Sequence, residues 1–420
     1  MKKIIVTYAG WGERWTLGTL ADNGQTVLFE YSETALAQGL ELSPRHLNLQ
    51  AAAYDGFPAS QLRLPGLIAD ALPDGWGLLL MDRLFRRHGR QAGEISPLDR
   101  LAFIGDRGMG ALTFEPAEPW AMPGQDASLL KLASEAYRVH IDGEDEAVLL
   151  ELARLGGSPH GARPKVLVYF CPGSQRVSTY PFEGGEPWLV KFQASGEHKE
   201  VCALERAYAD LARACGLDMP QAHYFDLSPK LAGFGVARFD REAGMRVPVH
   251  TLAGLLHADF RVPGSLDYTT FLRATRYLTQ DVREVNKAYE RAVFNVLFHN
   301  RDDHGKNVSY RLGKDRRWRL APCYDLTFST GPGGEHQMDV CGEGRQVTRA
   351  DLLKLASQAD LSPGWAATVI DRMLDQASRF SELTSSFTIR KATFKAVRQT
   401  IDANAKRLAS PHCARSGEAK

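Results

Sequence analysis

His299-Asn300-Arg301-Asp302-Asp303-His304-Gly305-Lys306-Asn307 is the densest polar cluster in the chain. It follows a long apolar stripe, Val282, Val285, Tyr289, Ala292, Val293 and Val296, whose three- and four-residue steps predict one buried face of a helix. Directly after it, Val308-Ser309-Tyr310 reads as a strand. Polar groups crowded at an element end are where binding and catalysis are built. Eighteen residues beyond Asn307, after the strand-like Trp318-Arg319-Leu320, a further carboxylate stands in Pro322-Cys323-Tyr324-Asp325.

The five-residue step from Asp302 to Asn307 is that of a phosphotransfer loop. There the Asp accepts the proton of a substrate hydroxyl and the Asn reaches a magnesium ion. Asp325 suits a second oxygen ligand of the same hard cation. Alone, D-x-x-x-x-N is a common accident and reads equally well as a solvated turn with a capping Asp. Context decides. Lys191 is a single cation in the apolar strand-like run Trp188-Leu189-Val190-Lys191-Phe192, where an ion pair or an edge-strand charge is the competing explanation. Val201, Leu204, Tyr208, Leu211 and Cys215 then paint one face of a helix, with Gly216 at the expected cap. Glu205 borders that stripe and faces inward at its edge, as a carboxylate steadying a phosphate-binding lysine must.

Upstream, Gly156-Gly157-Ser158-Pro159-His160-Gly161-Ala162-Arg163-Pro164-Lys165 offers glycines whose backbone N–H groups can close on phosphate oxygens. It is neither a Walker A loop nor G-x-G-x-x-G. A strand at Val166–Phe170 follows the loop, and another is read at Gly235–Phe239. Glycine loop, lysine strand, glutamate helix, short strand, then Asp, Asn and Asp is a kinase-type order of parts.

The rest of the sequence sets limits. At 420 residues, and roughly 150 per domain, the chain is expected to form two or three units. Lys plus Arg (51) balance Asp plus Glu (50), so no overall field recruits nucleic acid or a membrane. No apolar run of about 18 residues exists, and the N-terminus lacks a signal-peptide core, so a cytoplasmic protein with no membrane partner is expected. Six scattered cysteines indicate neither a disulfide framework nor structural zinc. Alternation at Ile5–Thr7, Trp15–Thr19 and Val27–Tyr31, around Asn23-Gly24, predicts an antiparallel meander. Leu67–Arg87 reads as helix broken at Pro73-Asp74-Gly75, and the prolines of Pro116–Gly124 mark a boundary. Segments 350–359, 364–381 and 388–407 read as helices.

Taken together, Pro73-Asp74-Gly75-Trp76-Gly77, the Ser158–Lys165 loop, Val236-Ala237-Arg238-Phe239-Asp240-Arg241, Asp302–Asn307 and Pro322–Asp325 resemble the HipA-like serine/threonine kinases of bacterial toxin–antitoxin systems. The resemblance spans nearly the whole chain. It implies an α+β, protein-kinase-like two-lobe fold with a small β-rich N-terminal subdomain and a mostly helical C-terminal lobe. The corresponding division is 1–122, 123–248 and 249–420. It implies ATP and Mg²⁺ as cofactors, Asp302 as catalytic base, Asn307 and Asp325 as metal ligands, and Lys191 on the nucleotide phosphates. His304 falls on a histidine of the same loop, and Lys165 on the loop's conserved-type lysine. The backbone of Ala237 and Phe239 would meet the adenine edge and Asp240 the ribose. Ser158 falls where such proteins phosphorylate themselves, and Arg163 stands where their usual Gln does. Implied partners are a helix-turn-helix antitoxin, through which DNA is mainly contacted, and a protein substrate with a Ser or Thr acceptor, such as an aminoacyl-tRNA synthetase. The alternative is an inactive kinase-fold scaffold for such an antitoxin. A third reading is a metal-dependent phosphoesterase built on Asp302, Asp303, His304 and His336.

Overall fold

The structure, a computed structural model, describes residues 1–117, 126–139, 146–156 and 159–409. Ser158 and most of the boundary segment Pro116–Gly124 lie outside the described residues. The chain forms two compact units. The first comprises Met1–Cys202, Pro220–His257 and Tyr310–Arg317; the second Ala203–Met219, Ala258–Ser309 and Trp318–Lys420.

In the first unit the N-terminal alternation becomes the predicted meander: β1 (Lys2–Tyr8), β2 (Trp15–Asp22) and β3 (Val27–Tyr31), extended by β4 (Ala53–Tyr54) and β5 (Leu112–Glu115) into an antiparallel sheet ordered β4-β3-β2-β1-β5. The turn from β2 to β3 closes because the Asn23 side chain accepts the N–H groups of Gln25 and Thr26, at 2.9 and 2.8 Å, and Gly24 supplies the left-handed φ of +88°. Helices α1 (Glu33–Gln38), α2 (Gly66–Ala69), α3 (Gly75–Arg87), α4 (Pro97–Ile104), α5 (Leu129–Arg138) and α6 (Glu146–Gly156) belong to the same unit.

A second antiparallel sheet carries the expected lysine strand. Its members are β6 (Lys165–Cys171), β7 (Arg176–Ser178), β8 (Glu186–Phe192), β9 (Ala222–Asp226) and β10 (Ala232–Ala237), in the order β7-β6-β8-β10-β9. Val166, Val168, Phe170, Trp188 and Val190 fill its buried face. The sequence reading put the last strand at Gly235–Phe239, three residues too late. Glycine weakens strand propensity, yet Gly233 and Gly235 are in the strand because an added Cβ would meet Val190 and Phe225 at 2.9 and 2.6 Å. The strand then ends where the Arg238 side chain turns to Asp240.

Helix α7 (Glu200–Ala214) starts in the first unit and runs through the second. It ends as the glycine predicts: Gly216 takes φ +82°, its N–H reaches the Arg213 carbonyl and the Leu217 N–H that of Ala212, a Schellman closure. After α8 (Leu252–Leu256), the second unit continues with α9 (Tyr268–Thr279), α10 (Val282–Leu297), α11 (Arg349–Gln358), α12 (Pro363–Ser378), α13 (Phe380–Leu383) and α14 (Lys391–Ala409). The α10 stripe is buried throughout except Val282 at the exposed first turn. Among the described residues no helix is long and apolar enough to cross a membrane. Cys202, Cys215 and Cys323 are buried free thiols, as expected, while Cys171 and Cys341 are half-buried.

One histidine of the first unit is expected to contribute to its acid stability. The His46 and His257 rings stack at 4.2 Å, and His257 Nε2 accepts the Gly66 N–H at 3.1 Å, so that nitrogen must be unprotonated. Burial, then the neighbouring His46 and His250, push His257 down from 6.5 to about 4. A histidine depressed on folding binds fewer protons than the unfolded chain does, so its contribution is complete above pH 6.5 and is lost as pH falls towards 4. Urea midpoints are expected to drop across that window. His257→Asn, which suits the left-handed φ of +52° found there, should flatten the dependence. An unchanged slope in that variant would exclude His257 as the source.

Candidate active site

Two clusters emerge, one in each unit. In the first, β6 and β8 pair so that Lys165 and Lys191 are directly opposite, and Lys191 is in turn opposite Phe234 on β10. Directly opposed residues project from the same face. Both lysines are buried, Lys165 to 1% and Lys191 to 6% exposure. Lys165 Nζ donates to the His160 carbonyl, and Lys191 Nζ sits 5.9 Å from the Phe234 ring centre. On the same face, one pair along, half-buried Leu167 and Leu189 are opposite each other, with Val236 beyond. Two leucines, a valine and two buried lysines thus share one face of the sheet.

The glycine loop leads into β6, and the Pro73–Gly77 motif holds it there. Gly161 receives a hydrogen bond at its carbonyl from Trp76 N–H (3.2 Å) and gives its own N–H to the Asp74 carboxylate, while His160 Nε2 lies 3.0 Å from the Leu72 carbonyl. Only glycine fits at two of these positions. Gly161 has φ +103° and a Cβ there would come within 2.4 Å of Lys165 Nζ; Gly75 has φ +42° and a Cβ would meet Ala162 at 2.8 Å. Arg163 pairs with Glu197 at 3.0 Å. Two motifs far apart in sequence are thus one structural piece.

At the end of β10 the expected nucleotide contacts are altered. The Ala237 N–H is already given to the Gln221 carbonyl at 2.8 Å, so a contact with adenine at Ala237 has to use the carbonyl. Asp240, expected at the ribose, has 0% exposure. Its oxygens accept from Arg238 Nε (2.9 Å) and Nη2 (2.8 Å), Arg241 Nη1 (2.7 Å) and the Gly110 N–H (2.8 Å). Both oxygens being filled by the protein itself, Asp240 is a positioning residue for this corner and not a ribose ligand. Burial opposes its ionisation, but Arg238 and Arg241 hold its carboxyl well below the usual range. The sequence could not separate these roles, because a carboxylate flanked by arginines fits both.

In the second unit the Asp302–Asn307 loop follows α10. Asp302 is half exposed at 52%, with Oδ1 accepting from Gln337 Nε2 at 3.1 Å and lying 3.7 Å from His304 Nε2. His304 caps the single turn Gly305–Asn307, its Nδ1 accepting the Lys306 N–H at 3.2 Å. Asn307 Nδ2 donates to the Asp302 carbonyl at 2.8 Å, which fixes the amide and presents Oδ1 as its remaining acceptor. Asp325 has φ +54°, a left-handed backbone at a side chain of chemical interest. Next to it, the Tyr324 hydroxyl donates to the Lys306 carbonyl and receives Ser309 Oγ, each at 2.6 Å. That phenol ties the Asp325 segment to the Asn307 loop.

The sequence reading gave little weight to the residue that supports the loop. Asp303 is buried, and its carboxylate accepts from the Tyr268 hydroxyl (2.7 Å) and Gln337 N–H (2.8 Å), with His336 Nδ1 at 2.7 Å. Tyr268 continues the network to Asn295 (2.9 Å), and Asn295 to Asn300 (3.0 Å). Asp302 and Asp303 are consecutive, one exposed and one buried, so one carboxylate is free for chemistry while the other anchors the chain. Asp303 and His336 are spent on each other, which takes two of its four residues from the phosphoesterase reading. Glu205 is buried at 3% on α7.

Comparison with known proteins bears on what these clusters are. Residues 157–380 match the HipA-like C-terminal domain, and residues 11–115 match the HipA N-terminal domain. The first match alone spans more than half of the chain. The chain belongs to the HipA family. Among solved structures it is similar to HipA of the Shewanella oneidensis MR-1 toxin–antitoxin system, solved with HipB and operator DNA. The TM-score is 0.70 and the identity 17%, over 96% of this chain and 97% of that one. The Helicobacter pylori proinflammatory kinase CtkA matches at a TM-score of 0.39 and 12% identity, over 54% of this chain and 86% of that one, too slight a likeness to argue from. No curated protein matches the chain. The HipA match bears out the α+β fold expected from the sequence, with a β-rich beginning and a mostly helical end.

Proposed function

We propose that this HipA-family chain is an ATP- and Mg²⁺-dependent serine/threonine protein kinase, the toxin of a toxin–antitoxin pair. The observation that carries the reading is the Asp302 carboxylate, half exposed on a loop held rigid by its buried neighbour Asp303 and by Asn307. A base presented in this way can take the proton of an acceptor hydroxyl as that oxygen bonds to the γ-phosphorus and the bond to ADP breaks. The paired lysines, Lys165 and Lys191, supply the second support: two buried cations at directly opposed positions suit a polyanion, and Leu167 and Leu189 on the same face suit an adenine ring. Glu205 is assigned to steady Lys191, and the Ala237 carbonyl and Phe239 backbone to the adenine edge. Asn307 Oδ1 and the Asp325 carboxylate fit magnesium, being hard oxygen donors on segments joined through Tyr324. When bound, that ion offsets phosphate charge. His304 orients the loop, and Ser158 is the assigned site of self-phosphorylation.

The Shewanella relative is bound to HipB and operator DNA. By that likeness the chain is assigned a helix-turn-helix antitoxin, with DNA reached mainly through it, in keeping with a net charge of only +1. The substrate class is a translation component such as an aminoacyl-tRNA synthetase. Incubation with γ-labelled ATP and magnesium tests the reading: label on Ser or Thr of protein supports it. Free phosphate alone, or no turnover, sinks it, and the latter leaves an antitoxin-binding scaffold.

Lys191→Ala is expected to weaken ATP binding by about tenfold or more, through loss of a charge-assisted phosphate contact. A calorimetric isotherm matching that of the parent would remove Lys191 from the site.

A further inference from the structure

The dipeptides Asp302-Asp303 and His336-Gln337 meet two by two in the second unit. Each turns one side chain inward and one outward: Asp303 and His336 are buried, while Asp302 is half exposed and Gln337 half-buried. The inner pair anchors the chain, with His336 Nδ1 2.7 Å from Asp303 Oδ2. The outer pair is a second hydrogen bond, from Gln337 Nε2 to Asp302 Oδ1 at 3.1 Å. An ionised carboxylate only accepts, so the amide must face it with its NH₂ group. Gln337 is held in place through the main chain. Its N–H is given to Asp303 Oδ1 at 2.8 Å, and its carbonyl takes the Gly264 N–H at 2.9 Å. On either side, the His336 N–H is bound to the Gly344 carbonyl at 2.9 Å and the Asp339 carbonyl to the Tyr268 N–H at 3.0 Å. Backbone fixed at four points returns the side chain to one place.

The outer bond divides the Asp302 carboxylate. Among the described residues Oδ1 accepts from Gln337 and has His304 Nε2 at 3.7 Å, whereas Oδ2 has no hydrogen-bond or ion-pair partner. A general base needs one oxygen held open towards the hydroxyl it deprotonates, and a carboxylate free to rotate offers that oxygen only part of the time. We propose that Gln337 is a positioning residue for phosphoryl transfer: its amide holds Asp302 by Oδ1 and aims Oδ2 at the acceptor hydroxyl. This rests on the kinase reading of Asp302. The competing role is purely structural, a side chain that only fills space beside the loop.

Two substitutions in the full chain separate these roles. Gln337→Met keeps the length of the side chain and removes the donor, and Gln337→Glu replaces the donor with an acceptor that repels Asp302. Both keep the main-chain bonds, so the melting temperature should match the parent's. Steady-state phosphoryl transfer is expected to show kcat lowered about tenfold in Gln337→Met and further in Gln337→Glu, with KM for ATP within about twofold of the parent. A double-mutant cycle then decides. In Asp302→Asn no base remains to be aimed, so adding Gln337→Met should cost less than about twofold more, whereas loss of a purely structural contact costs the same in both backgrounds. Turnover of Gln337→Met equal to the parent's, or a loss that simply adds to that of Asp302→Asn, would overturn the proposal and leave the kinase reading standing. A parent protein that transfers no phosphate would remove both.

Discussion

Asp302→Asn is expected to lower phosphoryl transfer by about 10²–10⁴, the range for loss of a general base, while ATP binding stays within about twofold of the parent. The substitution is chosen for its shape. An Asn side-chain oxygen can still accept from Gln337 Nε2, as Asp302 Oδ1 does at 3.1 Å, and the Asn307 contact goes to the main-chain carbonyl of residue 302, which no side-chain change removes. The side chain is half exposed, so no dry charge is left behind and the melting temperature should be unchanged. What the amide loses is the ability to hold a proton. Labelled-phosphate transfer and nucleotide calorimetry on the same preparation separate the two effects. Transfer within tenfold of the parent would mean that another group is the base, and lost ATP binding would mean that the loop had been disturbed.

The fold was legible where local chemistry sets the structure. Strict alternation and Asn23-Gly24 gave the meander, and the apolar stripe and Gly216 gave α7 together with its closure. What the sequence hid depends on registers and on contacts between distant segments. That Lys165 is opposite Lys191 follows from the pairing of β6 with β8, which neither segment encodes alone. The grip of Asp74 and Trp76 on the glycine loop spans some 87 residues, so Pro73–Gly77 read as a helix break and a motif of the resemblance, with no sign of what it holds. Strand β9 is short and half-buried and gave no clear alternation. Asp303 had a signal that was usable. Neighbouring residues in an extended loop point to opposite sides, so Asp-Asp before His304 already suggests one carboxylate outward and one inward. Which partners the inward one finds required Tyr268 and His336, both more than 30 residues away.

Removal of the Asp240 side chain is the substitution expected to cost the most stability. Asp240→Ala leaves Arg238 and Arg241 buried without their counter-charge, and loss of one partner from a buried ion pair typically costs about 3–5 kcal/mol. Burial above all, with Arg238 and Arg246 adding to it, drags Arg241 down from 12.5 to about 9, and Asp240 is the chief opposing influence. The arginines also hold other segments together. Arg241 and Arg246 both donate to the carbonyls of Gly108 and Gly110, and the Gly110 N–H returns to Asp240 at 2.8 Å, so the loop before β5 is bound to this corner by the arginines and by the carboxylate that neutralises them. Asp240→Asn keeps the shape and some of the hydrogen bonds but not the charge, and should fall between parent and Ala. The pH dependence has a definite sign. Since the folded carboxyl titrates below its ordinary 3.8, its contribution is complete above that value and fades as pH falls further, and the Ala variant should lack this acid-limb loss. Urea unfolding of the three proteins at neutral pH decides between the two roles. A ribose ligand would give Asp240→Ala the parent's midpoint and a raised KM for ATP. A positioning residue gives a lowered midpoint in the order parent, Asn, Ala, because the energy at stake is that of two buried cations and not of a sugar hydroxyl.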